Sequence, residues 1–195
     1  MRRFILSSAL ALSVIAVGLS TTAPAHATLW RNFKSPSFYL TPAYVNSGAP
    51  VRIHTFTSSI ADFWWELPDN AHPGFNTFTF PNGSGANPPP GFLLVMGVSG
   101  NIMKAGTPLI LWGQTGELNQ DWRLDYAFND SQQAACYILY DGNSPPNHVY
   151  VAGVAGGVMA QDQPVVIWDY FADPVAHGDQ FWCKYALSGN AIVPE

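Results

Sequence analysis

The chain has 195 residues, with 8 Lys and Arg against 13 Asp and Glu and a formal net charge of −5. Charged residues make up 11% and aromatic residues 14%, against roughly 25% charged in an average globular chain. This acidic, Arg-poor balance argues against nucleic acid and anionic membrane as partners, and the length suits one domain with a sizeable core.

Met1-Arg2-Arg3 is a basic start, Phe4 to Leu19 an apolar run of 16 residues, and Ala25-His26-Ala27 an A-x-A cleavage signal. Together they predict a secretory signal peptide over 1–27, cleaved near Ala27, and a secreted, extracellular protein. A retained membrane anchor would need roughly 20 apolar residues, so no membrane insertion is expected. Removing Arg2 and Arg3 leaves six Lys and Arg against 13 Asp and Glu, a net charge near −7 over 28–195.

Beyond the leader, 17 Gly and 16 Pro punctuate short segments. No amphipathic helical pattern exceeds two turns, which favours an all-β fold. Leu29-Trp30-Arg31-Asn32-Phe33 and Phe38-Tyr39-Leu40 read as strands, followed by Gly48-Ala49-Pro50-Val51-Arg52-Ile53-His54 and then Asp62-Phe63-Trp64. Asn76-Thr77-Phe78-Thr79-Phe80 and Phe92-Leu93-Leu94-Val95-Met96 open a second series. It continues with Gly106 to Trp112 and Gln120-Asp121-Trp122. The stretch from Gly106 to Trp122 reads locally as a β-hairpin, with Gly113 and Gly116 in the turn and Trp122 opening the return strand. The third series is Ala135 to Tyr140, His148 to Ala152, Gln163 to Trp168, and Gln180-Phe181-Trp182.

Pro50 and Trp64 stand 14 residues apart, as do Pro108 and Trp122, while Pro164 and Trp182 are 18 apart because of a four-residue insertion. The phrase after the second strand also recurs, as Gly97-Val98-Ser99-Gly100-Asn101-Ile102-Met103 and Gly153-Val154-Ala155-Gly156-Gly157-Val158-Met159. The chain is an internal threefold repeat of four strands each, twelve in all, able to close on itself and remove open sheet edges. Asn87-Pro88-Pro89-Pro90 and Ser144-Pro145-Pro146-Asn147 fall between strands and read as stiffened loops.

The repeated Gln-x-Trp, with its upstream Gly-x-Pro and aliphatic-aromatic strand, resembles the ricin B-type lectin domain. The resemblance covers the whole of 28–195 and departs in the first copy, where Asp62 replaces Gln. It implies one β-trefoil domain of three four-stranded repeats with pseudo-threefold symmetry, at about 28–70, 71–130 and 131–195. In such a fold Trp64, Trp122 and Trp182 pack into the core, and Gln120 and Gln180 tie the backbone across the repeat. The resemblance also implies sugar pockets, one per repeat at most, in which an exposed aromatic stacks on the sugar and amide or carboxylate groups hold hydroxyls.

Carried over, the second copy supplies Trp112 as stacking ring and Asn119 as hydroxyl partner, with Gln120 beside it. The third supplies Trp168 with Asp179 in place of the Asn, and the first has only His54 and Ala61. The family's Asp falls on Gly97 and Gly153, and its strand-three Gln on Ile110 and Val166. The fold signature is kept and the sugar signature is eroded. One lost charge-assisted hydrogen bond costs about 1.5–3 kcal/mol, enough to silence a weak pocket. Asp169, Asp173, His177 and Asp179 in the insertion read as a replacement polar pocket, a metal set or an acidic solvated loop. Their spacing matches no metal pattern, so no metal is expected. Cys136 and Cys183 lie on strands one and four of the third repeat, barrel neighbours in a trefoil, and are either a disulfide or two buried thiols.

With no G-x-S-x-G, H-E-x-x-H or phosphate loop, neither catalysis nor a cofactor is expected. The expectation is a secreted, non-catalytic carbohydrate-binding module for glycans or glycoconjugates with partly degenerate pockets. The alternative is a protein-interaction or receptor-binding subunit, or an inhibitor, that uses the trefoil as scaffold.

Overall fold

The computed structural model describes residues 27–57, 62–79, 93–188 and 191–195. Residues 1–26 of the leader, the Pro-rich 87–90 and Ala61 lie outside the described residues. Thirteen strands follow in chain order: β1 (Ala27–Asn32), β2 (Phe38–Pro42), β3 (Val51–Thr55), β4 (Trp64–Pro68), β5 (Asn76–Thr79), β6 (Leu94–Val98), β7 (Leu109–Gly113), β8 (Trp122–Asn129), β9 (Ala135–Asp141), β10 (Tyr150–Val154), β11 (Val165–Asp169), β12 (Trp182–Ser188) and β13 (Ala191–Pro194). Among the described residues there is no α-helix, and only short 3-10 turns interrupt the strands.

Six strands pair antiparallel in a closed ring, β1–β4–β5–β8–β9–β12 and back to β1. Closure removes the open edges that an extended sheet would present. The other strands of each repeat form hairpins, β2–β3, β6–β7 and β10–β11, and each hairpin is joined to the barrel through its first strand. This is the β-trefoil, with an addition: β13 pairs with β12 from Tyr185↔Pro194 to Ser188↔Ala191 and makes a thirteenth strand where twelve were expected.

The hairpins meet about a pseudo-threefold axis through one contact written three times. Leu111 N donates to Ala49 O (2.8 Å), Ile167 N to Thr107 O (2.9 Å) and Ile53 N to Gln163 O (2.9 Å). Pro50, Pro108 and Pro164 each bridge the next repeat's strand, at Ile110, Val166 and Arg52. Two residues before each proline the chain turns through positive φ, at Gly48 (85°), Gly106 (88°) and Asp162 (64°). That conformation carries no steric cost for glycine, and aspartate tolerates it. The Gly-x-Pro signature is therefore the corner at which each hairpin reaches its neighbour.

The core repeats in the same way. Trp64, Trp122 and Trp182 are fully buried, and each indole Nε1–H donates to a carbonyl of its own repeat's second strand: Leu40 O (2.8 Å), Met96 O (3.1 Å) and Ala152 O (2.9 Å). Val51, Leu109 and Val165, and then Ile53, Leu111 and Ile167, form successive triplets beneath them. A polar indole nitrogen so deep must find an acceptor, and the pleat supplies one at the same place three times.

Two local expectations are corrected. The stretch from Gly106 to Trp122 is not a hairpin: β7 pairs with β6, and β8 pairs with β5 and β9. An apolar strand, a glycine turn and an aromatic strand match a hairpin locally, yet closure of the barrel takes β8 elsewhere. The third repeat's second strand begins at Tyr150 rather than His148. Cys136 and Cys183 are disulfide-bonded, as directly paired residues of β9 and β12. The bridge closes 47 residues of sequence, worth about 4 kcal/mol on the chain-entropy model.

A buried ionic network ties Arg31 of the first repeat to Asp130, at the end of the second, and to Gln132 and Tyr185 of the third. Arg31 is 8% exposed. Its guanidinium donates to Asp130 and Tyr185 Oη, and Nη1 reaches Gln132 Oε1 at 2.8 Å. Tyr185 Oη also donates to Asp130. Breaking one member leaves a buried charge without its partner, so Asp130→Ala is expected to lose about 3–5 kcal/mol in urea denaturation, with a loss under 1 kcal/mol contradicting the network's importance. Asp141 is 4% exposed. Burial, with the charge of Asp121 adding to it, pushes its carboxyl up to about 7, against the backbone N–H of Asn143, which favours the ionised form. The folded chain therefore holds a proton that the unfolded chain, titrating near 3.9, has released. The stability this lends is complete below about pH 4 and is lost as pH rises toward 7. Relative to the parent, Asp141→Asn should gain at least about 1 kcal/mol between pH 4 and pH 8, one pKa unit being about 1.4 kcal/mol. A difference that stays flat with pH would contradict the buried, proton-holding carboxyl.

Candidate carbohydrate-binding clefts

Each hairpin presents its outer face beside the loop leading to its repeat's Gln-x-Trp tryptophan, and in two repeats this leaves a cleft. The second-repeat cleft is about 200 Å³ and is lined by Gly97, Trp112, Thr115, Glu117 and Asn119, among others. The third-repeat cleft is about 280 Å³, with Lys34, Gly157, Trp168, His177 and Asp179. Pockets for drug-sized ligands run from roughly 300 to 1,000 Å³, so both are shallow.

Alternation along the strand exposes the aromatic. In β7, Leu109 and Leu111 point into the core and Trp112, at the strand's end, stands 49% exposed. In β11 the same register leaves Trp168 37% exposed beside the buried Ile167. Gly97, paired with Ile110, lines the second cleft; its counterpart Gly153 pairs with Val166, while Gly156 and Gly157 line the third cleft. A Cβ on Gly97 would lie 3.0 Å from Gln120 Cγ and 3.1 Å from Asn119 O, and one on Gly153 would lie 3.1 Å from Gln180 Cγ. The absent aspartate is thus matched by a backbone packed too closely for any side chain there without movement.

The polar groups come from the 3-10 turns Leu118–Gln120 and Gly178–Gln180. Asn119, 9% exposed, donates from Nδ2 to Val98 O at 3.3 Å, while its buried Oδ1 has no hydrogen-bond partner. Buried acceptors are nearly always satisfied, so this oxygen is an unmet acceptor in a side chain that lines the cleft. Asp179 places its Oδ2 3.7 Å from where a Gly153 Cβ would lie. The third cleft therefore regains a carboxylate, reached from the loop rather than from strand two. Lys34 Nζ stands 3.9 Å from Asp179 Oδ1 and donates to Gly157 O at 3.1 Å. Asn32 holds this corner, donating to Asp179 O (3.1 Å) and accepting from Lys34 N (3.0 Å).

Gln120 lines the second cleft but is committed to the scaffold. Its Nε2 donates to Gly113 O (2.9 Å), and its Oε1 accepts from Thr115 N (2.7 Å) and Thr115 Oγ1 (3.0 Å). Gln180 does the same with Asp169 O (2.7 Å) and Phe171 N (2.9 Å). In the first repeat Asp62 substitutes, its Oδ2 accepting from Thr57 N (2.8 Å) and Thr57 Oγ1 (2.9 Å). The Gln-x-Trp glutamine therefore shapes the strand-three loop of its own repeat. The first repeat offers no matching aromatic: His54 occupies that place, 3.7 Å from Asp162, which also pairs with Arg52 at 2.6 Å.

The insertion does not gather its acidic groups. Asp169 pairs with His148, Asp173 accepts from Val175 N (2.9 Å) and Ala176 N (3.3 Å) within its own turn, and His177 stacks on Phe171 at 4.3 Å. Of Asp169, Asp173, His177 and Asp179, the last two line the third cleft. Lys34 was missed by sequence reasoning. It belongs to the turn after β1, far upstream of Trp168, and enters the third cleft only because closure sets β1 against β12.

No protein-family model matches the chain, and no curated protein sequence is detectably similar to it. Solved structures are similar in fold. A designed threefold-symmetric protein, ThreeFoil, matches with a TM-score of 0.64 at 16% identity, over 83% of this chain and 99% of its own. The Rhizoctonia solani agglutinin matches with a TM-score of 0.57 at 13% identity, over 88% of this chain and 96% of its own. The Polyporus squamosus lectin, solved with the epitope Neu5Aca2-6Galb1-4GlcNAc, matches with a TM-score of 0.56 at 16% identity, over 84% of this chain and 50% of the lectin chain. The chain thus spans half of that lectin, and at these identities the likeness establishes the β-trefoil fold it shares with known lectins.

Proposed function

We propose that the protein is a secreted, non-catalytic carbohydrate-binding module of ricin B-like character, and that the clefts of the second and third repeats are its sugar sites. One observation carries the reading. At two symmetry-related places an exposed tryptophan and glycine backbone line a cleft together with an amide or carboxylate side chain, Asn119 in one and Asp179 in the other. Sugar C–H faces suit the indole, and hydroxyls suit those oxygens as donors. The lectins of similar fold support the reading, one of them solved with a sialylated glycan. The clefts favour binding over proton chemistry, because the strongly raised carboxyls Asp121 and Asp141 line neither of them. Shallow clefts of this volume fit one or two sugar rings each, with weak affinity per site.

Glycan-array screening followed by calorimetry tests the proposal. Binding is expected in the millimolar to micromolar range, weakened at least tenfold at the corresponding site by Trp112→Ala or Trp168→Ala and more mildly by Asn119→Ala. A tenfold loss is about 1.4 kcal/mol, on the scale of one aromatic stack. No binding at millimolar sugar, or binding indifferent to both tryptophan substitutions, overturns it and turns attention to a protein partner on the trefoil loops.

A further inference from the structure

We propose that Asp69, His72 and Asp121 form a binding site for one divalent transition-metal ion, Zn²⁺ being the best match, at the junction of the first and second repeats. The turn between β4 and β5 is pinned by Asp69 N donating to Phe75 O (2.9 Å) and Phe75 N to His72 O (3.1 Å). Ala71 N holds the Asp69 carboxylate at Oδ1, 2.8 Å away. Pairing of Asn76 with Trp122 then sets Asp121 against this turn.

His72 Nδ1 lies 2.7 Å from Asp69 Oδ2 and 2.7 Å from Asp121 Oδ2. One ring nitrogen carries at most one proton, so it serves only one of the two carboxylates at a time. Asp121 is 0% exposed; its Oδ2 depends on the imidazole it shares with Asp69, and its Oδ1 has no hydrogen-bond partner. A carboxylate that deep is stable only when paired, hydrogen-bonded or bound to metal. The three donor atoms all lie within 4.8 Å of one another. Zn–N and Zn–O bonds are about 2.0–2.2 Å, so an ion at the point of convergence replaces the shared proton and satisfies both carboxylates after small shifts.

The donor set selects the metal class. One imidazole and two carboxylates suit Zn²⁺ and its first-row neighbours, whereas Ca²⁺ and Mg²⁺ prefer all-oxygen shells of six or more ligands. His72 is about one-third exposed and Asp69 partly so, which leaves an entry path and positions for water. A bound ion would clip the β4–β5 turn to the residue following Asn119 and Gln120, the wall of the second cleft. It would therefore brace that loop. The proposal is independent of the sugar reading, because the metal residues line neither cleft.

Calorimetry and thermal melting of the untagged protein with ZnCl₂ at pH 7.5 test it. One ion per chain is expected, with a melting temperature that rises and saturates, while CaCl₂ and MgCl₂ leave it unchanged. His72→Ala should weaken binding at least tenfold, and His148→Ala, at the exposed pair with Asp169, should not. Should His72→Ala fail to fold, a zinc-edge anomalous peak among the three side chains in crystals of the parent gives the second reading. Absence of stoichiometric binding up to 1 mM Zn²⁺, unchanged affinity in His72→Ala, or a peak elsewhere would overturn the assignment and leave the cluster as a histidine shared between two carboxylates.

Discussion

The indole-to-carbonyl bond from the last strand of each repeat to its second strand, made by Trp64, Trp122 and Trp182, is the constraint on which the rest depends. It fixes the start of each fourth strand beneath its own hairpin and so determines where the preceding loop must run. In the second and third repeats that loop carries Asn119 and Asp179 to the hairpin's outer face, where Trp112 and Trp168 stand. Removing such an indole would cost both a large buried surface and an unpaired backbone carbonyl, two of the recognised routes to severe destabilisation. The glutamines next to two of these tryptophans extend the same logic outward, since Gln120 and Gln180 tie the strand-three loop down on each side.

Threefold architecture leaves the three outer faces free to differ, and they do. The first repeat keeps the architecture, with Asp62 holding Thr57 as Gln120 holds Thr115, but places His54 in an ion-pair cluster instead of a tryptophan. The second lines its cleft with Glu117 and Asn119. The third carries a Lys34–Asp179 pair and a longer loop. Stability is shared among the repeats, while each outer face carries its own set of side chains.

Much of the fold was legible because its constraints repeat. The corner at Gly48 and Gly106, the prolines that follow, and the buried tryptophans recur at near-constant spacing, and no local propensity competes with them. The pairing of β7 was not legible, because a strand, a glycine turn and an aromatic strand look the same whether the strands pair with each other or with other partners. The thirteenth strand was missed for a related reason: Ala191–Pro194 is short and ends in proline, and only the exposed edge of β12 makes it a strand. At the site, Trp112, Asn119, Trp168 and Asp179 could be located by their offset from Gln-x-Trp. Lys34 and the trio Asp69, His72 and Asp121 could not, since barrel closure rather than spacing brings them together.

The central claim is that two of the seven tryptophans face a sugar while Trp30, Trp64, Trp122 and Trp182 are sealed in the core. A two-dimensional ¹H–¹⁵N spectrum of the indole N–H groups, assigned by single substitution and titrated with the glycan that binds best, tests it directly. The Trp112 and Trp168 signals should move with added glycan while those of the four buried indoles stay in place. Movement of the buried set, or stillness of both Trp112 and Trp168 under saturating glycan, would contradict it.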